Sequence, residues 1–448
     1  MIRSLFMAVL MTVTVHQAAS AAVKIQTITS PKGIQAWLVE EHSVPVVAMD
    51  FAFRGGAAQD PQRVPGVAAM LSSLLDEGAG KYNSQAFQLA LEENAIEMSF
   101  SAQRDTFNGS LRTLSEKRDT AFELMQLAVN APRLDAEPIE RIRSQLLARL
   151  RRDATDPGTI AMEIWAQSAF PGHPYGRRSI GSESSITAIT RDELDAYRTR
   201  NFARDNLVIA VVGDIDAKTL GALLDKTFGN LTQTAELTPV PSTQPRGVGE
   251  THIVEQGIPQ TTIMFSRPAL KRDDPDYIAS VVMNHILGGG TFTSRLFNEV
   301  REKRGLAYSV SSYLEPLAQT GIFAGSVATR NEKADEAVKL IEDEIRRFAQ
   351  DGPSDDELAK AKLFITGSYP LSFDSSSKIS RVLKELQIQN MPIDYVEKRN
   401  QLVNQVTRDD VMRAAKRVLG DGDLLVVAVG KPDGLAKRKG AVLQSPPR

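Results

Sequence analysis

The chain contains no cysteine. Disulfides, thiolate metal sites and a cysteine nucleophile are therefore excluded. Long apolar runs are also lacking. The run at 5–15 falls well short of the roughly 20 residues a membrane-spanning helix needs. Neither sign of charge is in excess: 53 Lys and Arg stand against 55 Asp and Glu, a net charge of −2. The basic KRKG at 437–440 is short, which argues against nucleic acid as the main partner. Histidine is scarce and scattered, at 16, 42, 173, 252 and 285. Of these, His252 alone has an acidic residue at helical spacing, Glu255. But THIVE alternates like a strand, where positions i and i+3 face opposite sides, so no helical metal clamp is expected there. His173 precedes Pro174 in a turn, and His285 lies on an apolar helix and reads as a satisfied core residue.

What is present fits a globular protein, with 42% hydrophobic and 24% charged residues. At 448 residues the chain exceeds one hydrophobic core, so two or more domains are expected. Arg3, the apolar run and the small-residue site Ala19-Ser20-Ala21 read as a secretory signal peptide over residues 1–21. The expected address of the mature chain is the periplasm. Residues 233–250 (QTAELTPVPSTQPRGVGE) are rich in Pro, Thr, Gly and Gln and read as a linker between domains at 22–232 and 251–448.

Strand-like and helix-like stretches alternate along both halves. Val44–Phe53 is a near-continuous apolar strand, 66–75 an apolar helix, and 136–152 a charged amphipathic one. The second half repeats the first at an offset of 216–217. Gly109-Ser110-x-x-Thr113-x-x-Glu116-Lys117 recurs as Gly325-Ser326-x-x-Thr329-x-x-Glu332-Lys333. Thr190-Arg191-Asp192 recurs as Thr407-Arg408-Asp409, and LVIAVVG ending at Gly213 recurs as LLVVAVG ending at Gly430. A fixed-period repeat implies two copies of one unit. The expected class is α+β: two homologous domains related by internal duplication, each a largely antiparallel sheet packed with helices.

The stretch 287–313, LGGGTFTSRLFNEVREKRGLAYSVSSY, combines a glycine break at Gly288, Gly289 and Gly290, a helix and a strand. The helix is expected from Thr291 to about Lys303, with Phe292, Leu296 and Val300 on one stripe. Arg301 and Tyr308 bracket the turn, seven residues apart. They offer a planar guanidinium fork and a phenolic donor. From spacing alone the pair also reads as a solvated helix-end cation and a tyrosine packed on a sheet.

Together with the repeat, several segments resemble the pitrilysin/insulinase metallopeptidase family, in its small two-domain, processing-peptidase-like branch. They are PGVAAMLSSLLDEG (65–78), HPYGRRSIGSESSI (173–186), ITRDELDAYRTRNFARDNLVIAVVGDID (189–216) and GGGTFTSRLFNEVREKRGLAYSV (288–310). The family's zinc site is the inverted motif H-x-x-E-H, completed by a distant Glu. Here the two ligand positions hold Ala69 and Ser73, the base position holds Ser72, and the distal ligand position, about 76 residues on, falls on Arg149. No zinc is therefore expected in this chain. Ser72 and Ser73 sit mid-helix with no nearby base or Gly-x-Ser-x-Gly elbow, so a serine nucleophile is not expected either.

The resemblance implies that Arg301 and Tyr308 hold substrate near its scissile carbonyl. There the pair would stabilise the charge that develops on the tetrahedral intermediate. Gly288, Gly289 and Gly290 would form a loop at the substrate chamber. The expected function is that of a zinc-less subunit. It pairs with a homologous subunit carrying an intact H-x-x-E-H motif and zinc, and it acts on peptides cut there. The alternative is a peptide-binding pseudoenzyme or scaffold with no catalytic partner. A third, an autonomous hydrolase with a metal site elsewhere, lacks the ligands.

Overall fold

A computed structural model describes residues 24–445; the leader expected at 1–21 lies outside them. Among the described residues, twelve strands form two sheets of six. The first comprises β1 (Gln26–Thr29), β2 (Gln35–Glu40), β3 (Val46–Arg54), β4 (Glu97–Ala102), β5 (Thr106–Leu114) and β6 (Leu207–Gly213), in the order β1-β2-β6-β3-β5-β4. The second comprises β7 (Thr251–Glu255), β8 (Gln260–Ala269), β9 (Ala307–Pro316), β10 (Gly321–Arg330), β11 (Leu425–Gly430) and β12 (Ala441–Gln444), in the order β12-β7-β11-β8-β10-β9. Residues 233–250 carry neither helix nor strand.

Five strands match position by position: β2 with β7, β6 with β11, β3 with β8, β5 with β10 and β4 with β9. The single parallel pairing among these, β2 with β6, recurs as β7 with β11. The outermost position differs. It is filled by β1 from the start of the chain, antiparallel to β2, and by β12 from its end, parallel to β7. The α+β class and the largely antiparallel sheets follow the expectation from sequence.

Each repeated motif has a physical role. Gly109 pairs with Phe51 and Gly325 with Phe265 across neighbouring strands. A Cβ at either glycine would sit 2.2 Å from the partner ring, so only glycine admits the aromatic there. Thr190 and Thr407 are both N-caps with complete capping boxes, closed by Glu193 and Asp410. Gly213 and Gly430 end their strands at φ 142° and 151°, a region that side-chain-bearing residues avoid.

Neither half covers both faces of its own sheet. Helices of the first half pack on the face carrying Met49, Phe51, Phe53 and Phe107. The opposite face meets a helix from the other half, Ser376–Ile388, whose Leu383 and Leu386 pack on Val39, Ala210 and Val212. Ser380 Oγ donates to the buried Asp50 (2.6 Å), Lys384 Nζ donates to Asn108 (2.9 Å), and Arg54 donates to the carbonyls of Gln387 and Ile388. In return, Pro157–Ala169 from the first half lies on the second sheet. Its Trp165 packs in a cluster with Met264, Ile322 and Val427 and donates to Ser266. This exchange explains why β3, β6 and β11 read as continuous apolar runs: both faces of each are covered.

Because each sheet relies on a helix of the other half, the two halves should unfold together. Leu383→Ala removes a fully buried side chain from the shared cluster and should cost about 2–5 kcal/mol. In a denaturant titration this should appear as one transition at a lower midpoint. Two separated transitions, with the second sheet unaffected, would contradict the exchange.

Candidate functional site

Ala69 and Ser72 lie on the helix Val67–Ser72, and Ser73 follows as its last cap. This helix is shorter than the 66–75 expected. Gly66 enters it at φ 102°. The buried Asp60 holds its start, accepting from the backbone N–H groups of Gly66 (2.7 Å) and Ala68 (2.8 Å). Burial raises the Asp60 carboxyl to about 7. Ser72 Oγ (2.8 Å) and Ser73 Oγ (3.3 Å) both donate back to the Ala69 carbonyl, one turn earlier. Arg149 is mostly exposed and reaches Asp153, one turn along its own helix (3.8 Å). A methyl group, two hydroxyls bonded within their helix and a guanidinium offer zinc neither imidazole nor carboxylate, so the residues present do not fit that metal. Among the described residues, no three His, Asp or Glu side chains gather where they could hold a metal ion.

Arg301 and Tyr308 are brought together. The Arg301 guanidinium lies over the Phe297 ring (4.8 Å) and the Tyr308 ring (5.3 Å), and Nη1 donates to Glu302 (2.6 Å). Tyr308 is 85% exposed. A β-bulge is responsible. Val327 pairs with Val310, but the next pair is Thr329 with Ala307, so Tyr308 and Ser309 together oppose Ala328. The extra residue turns Tyr308 off the sheet. β9 is the edge strand of its sheet, and further along it the Ser312 carbonyl accepts from Asn284 (3.2 Å).

The helix leading to Arg301 differs from the expected single stripe. A turn at Thr291–Thr293 ends at Ser294, which caps a new short helix, Arg295–Phe297, followed by a wider turn over Asn298–Glu302. Leu296 and Val300 are buried as expected, but the restart leaves Phe292 71% exposed. The glycine run is not an open loop. Gly288 and Gly289 belong to a wide helical turn, His285–Gly289. A Cβ at Gly288 would fall 2.3 Å from Ser312 Oγ of β9, and one at Gly290 would fall 2.7 Å from the His285 carbonyl, so Gly288 serves close packing on β9 and Gly290 the closure of its own turn. His285 is not a core residue either. It is half-buried, with its ring stacked on the exposed Phe364 (4.9 Å), and burial lowers its pKa. His252 lies on β7 between Glu250 and Gln444 (both 2.8 Å), with no part for Glu255.

Sequence reasoning missed the charged scaffold under the pair. Arg295 grips Glu357 through two hydrogen bonds (2.6 and 2.7 Å) and lies over Phe348. Glu299 accepts from Lys303 (2.7 Å) and Arg304 (2.6 Å). Burial pushes Glu299 up, but these two cations outweigh it and hold the carboxyl at about 2. The Arg295 bonds hold Glu357 at about 2. The i,i+4 spacing of Glu299 and Lys303 is the one visible signal; Glu357 comes from a distant helix.

Comparison with known proteins accords with this geometry. Residues 36–182 match the family model described as insulinase (peptidase family M16), and residues 188–364 match the peptidase M16 inactive domain. A solved structure described as a peptidase M16 inactive domain, from Pseudomonas fluorescens, superposes with a TM-score of 0.86. It is 31% identical and covers 91% of this chain and 98% of its own. The chain belongs to the M16, or insulinase, peptidase family. Among its M16 relatives, a non-peptidase homologue from Helicobacter pylori is 26% identical over 82% of this chain and 84% of its own. An uncharacterised zinc protease from Streptomyces coelicolor is 26% identical over 86% and 84%. A probable mitochondrial-processing peptidase subunit beta from Schizosaccharomyces pombe is 24% identical over 93% and 94%. Among the described residues, no helix of this M16 chain is long and apolar enough to cross a membrane.

The Arg295–Glu357 pair sets a pH dependence. Glu357 is held below its ordinary 4.5 in the folded chain, so its stabilising contribution is complete above about 4.5 and fades as the pH falls towards 2. Glu357→Gln should lower the denaturation midpoint at pH 7 and flatten the acid limb below pH 4.5. A variant with an acid limb as steep as the wild type would show that the pair contributes nothing.

Proposed function

We propose that this chain is the zinc-less subunit of a two-subunit M16 metallopeptidase. Its partner is a homologous subunit with an intact H-x-x-E-H motif, and the peptide is cut at that partner's zinc. This chain helps enclose the substrate and presents Arg301 and Tyr308 to the carbonyl being attacked. The observation that carries the reading is a contrast within one chain. The ligand positions hold groups that cannot bind zinc, while a half-buried Arg301 lies over an exposed Tyr308 on an edge strand. The inactive-domain match over 188–364 supports inactivity of the chain alone. The periplasm is the proposed location, resting on the leader at 1–21.

The chemistry suits the role. A phenol and a guanidinium fixed beside a developing oxyanion stabilise the transition state more than the ground state. In isolation Arg301 is bonded to Glu302, so substrate exchanges one carboxylate partner for a developing negative charge.

The assay is peptide hydrolysis by the reconstituted pair. Tyr308→Phe and Arg301→Ala should each lower kcat/KM by about 10²–10³-fold, with zinc content and subunit association unchanged. Wild-type rates for both variants would sink the proposal. Tight peptide binding by this chain alone, with no effect on any homologue's activity, would favour the second reading, a peptide-holding pseudoenzyme. The resemblance to a non-peptidase homologue is consistent with it.

A further inference from the structure

A second arginine–tyrosine cluster shares no residue with the Arg301–Tyr308 pair. Arg272 lies in the connection between β8 and the helix Tyr277–Asn284. Its guanidinium lies over two rings, Tyr277 (4.6 Å) and Tyr395 (5.1 Å), and donates to the Tyr395 hydroxyl (2.7 Å). Arg399 stands one turn beyond Tyr395 on the helix Tyr395–Gln405. It lies over the Tyr369 ring (4.3 Å), and its Nη1 donates to the Ile365 carbonyl (2.9 Å) and to Asn400 (3.1 Å). Tyr369 links the two cations. Burial raises its hydroxyl to about 12, and Arg399 and Arg272 are both near enough to oppose that rise.

What the cluster lacks is an acid. Among the described residues, the carboxylates nearest in sequence are engaged elsewhere: Asp274 and Asp276 with Arg417 (both 2.7 Å), and Asp394 with Lys398. Asp273 is exposed and forms no ion pair with Arg272 or Arg399. By contrast, Arg295, Arg304 and Arg438 of the same half each meet a glutamate. Arg272 and Arg399 are half-buried, and burial together with the Arg272 charge lowers the Arg399 guanidinium. Two such cations side by side are unfavourable until an opposite charge joins them. The rings compensate in part, but they cover the faces of the guanidiniums and leave the N–H edges. Arg272 Nε is buried without a hydrogen-bond partner. Arg399 Nε and Nη2 make no hydrogen bond among the described residues. In-plane guanidinium donors fit an oxyanion, and a tyrosine hydroxyl adds another donor. Two cations without an acid match a charge of about −1.5 to −2, that of a phosphate group near pH 7.

We propose that Arg272 and Arg399, with the Tyr369 hydroxyl, form a phosphate-binding site in the second half of the chain. The ligand is free phosphate or a phosphate group carried on a larger molecule. The site goes beyond the subunit reading. It involves no zinc, no peptide and no partner subunit, so the two stand or fall separately.

The probe is inorganic phosphate, titrated into the full chain at pH 7 in a calorimeter, with sodium chloride of equal ionic strength as the blank. The wild type should bind phosphate at a single site. Arg399→Gln should raise Kd by about tenfold or more, the loss of a charged hydrogen-bond donor. Arg272→Lys keeps the charge but loses the planar fork, and it should also weaken binding. Tyr369→Phe keeps the ring beneath Arg399 and should raise Kd by a smaller factor. All three variants are checked for wild-type circular dichroism, and Tyr369→Phe, which removes only a hydroxyl, serves where an arginine variant fails to fold. Arg301→Ala should leave Kd unchanged. No heat beyond the chloride blank would overturn the proposal. So would wild-type affinity in the folded variants, or acetate bound as tightly as phosphate. Sedimentation with phosphatidylglycerol vesicles, lost in Arg399→Gln, would assign the phosphate to a lipid headgroup; phosphate binding without it would assign a soluble ligand.

Discussion

The structure depends on a mutual covering. Each sheet buries one face under its own helices and needs a helix from the other half for part of the opposite face. The polar contacts at these crossings are specific: Ser380 to the buried Asp50, Lys384 to Asn108, and Trp165 to Ser266. A buried carboxylate or ammonium is tolerated only where such partners exist, so these contacts set where each exchanged helix sits. A second tie joins the hairpin turns: Asp105 accepts from the Tyr175 hydroxyl and from the Ala318 N–H of the other half. The two halves form one structural unit, and the strands left without neighbours are the edge strands, β4 and β9 among them.

Two regions of this chain contrast. Around Ala69, Ser72 and Ser73 the polar groups are satisfied within the helix and its start. Asp60 fixes the helix start, and two serine hydroxyls turn back onto their own helix. Around Arg301 and Tyr308 the chain instead holds polar surface outward. A bulge turns the tyrosine off its sheet, and the bonds Arg295–Glu357 and Glu299–Lys303–Arg304 brace the turn beneath. Bulges and charged networks of this kind cost stability elsewhere in a fold and are retained where a side chain must be aimed.

Much of the fold was legible because its signals are local. The repeated Gly-Ser-x-x-Thr, the Thr-Arg-Asp caps and the glycines ending β6 and β11 each answer to one steric or capping demand, so the duplication could be read from them. Helix exchange was not legible. Pro157–Ala169 and Ser376–Ile388 have ordinary amphipathic patterns, and nothing local says which sheet receives them. The spacing of Arg301 and Tyr308 was visible, and so was the absence of zinc ligands at Ala69, Ser72, Ser73 and Arg149. The bulge, the helix restart at Ser294 that exposes Phe292, and the Glu357 grip on Arg295 were not, because each depends on register or on a residue more than 50 positions away. The glycines at 288–290 misled for a related reason. Composition suggests a loop, whereas close approach to Ser312 and His285 is what requires glycine.

In the proposed function, this chain contributes to catalysis only through a zinc-bearing homologue. The most direct measurement is a titration of this chain into the purified homologue with an intact H-x-x-E-H motif, reading peptide hydrolysis. The account predicts that the rate rises from near zero and saturates at one copy of this chain per zinc subunit. A rate that is already full in its absence, and flat throughout the titration, would contradict it.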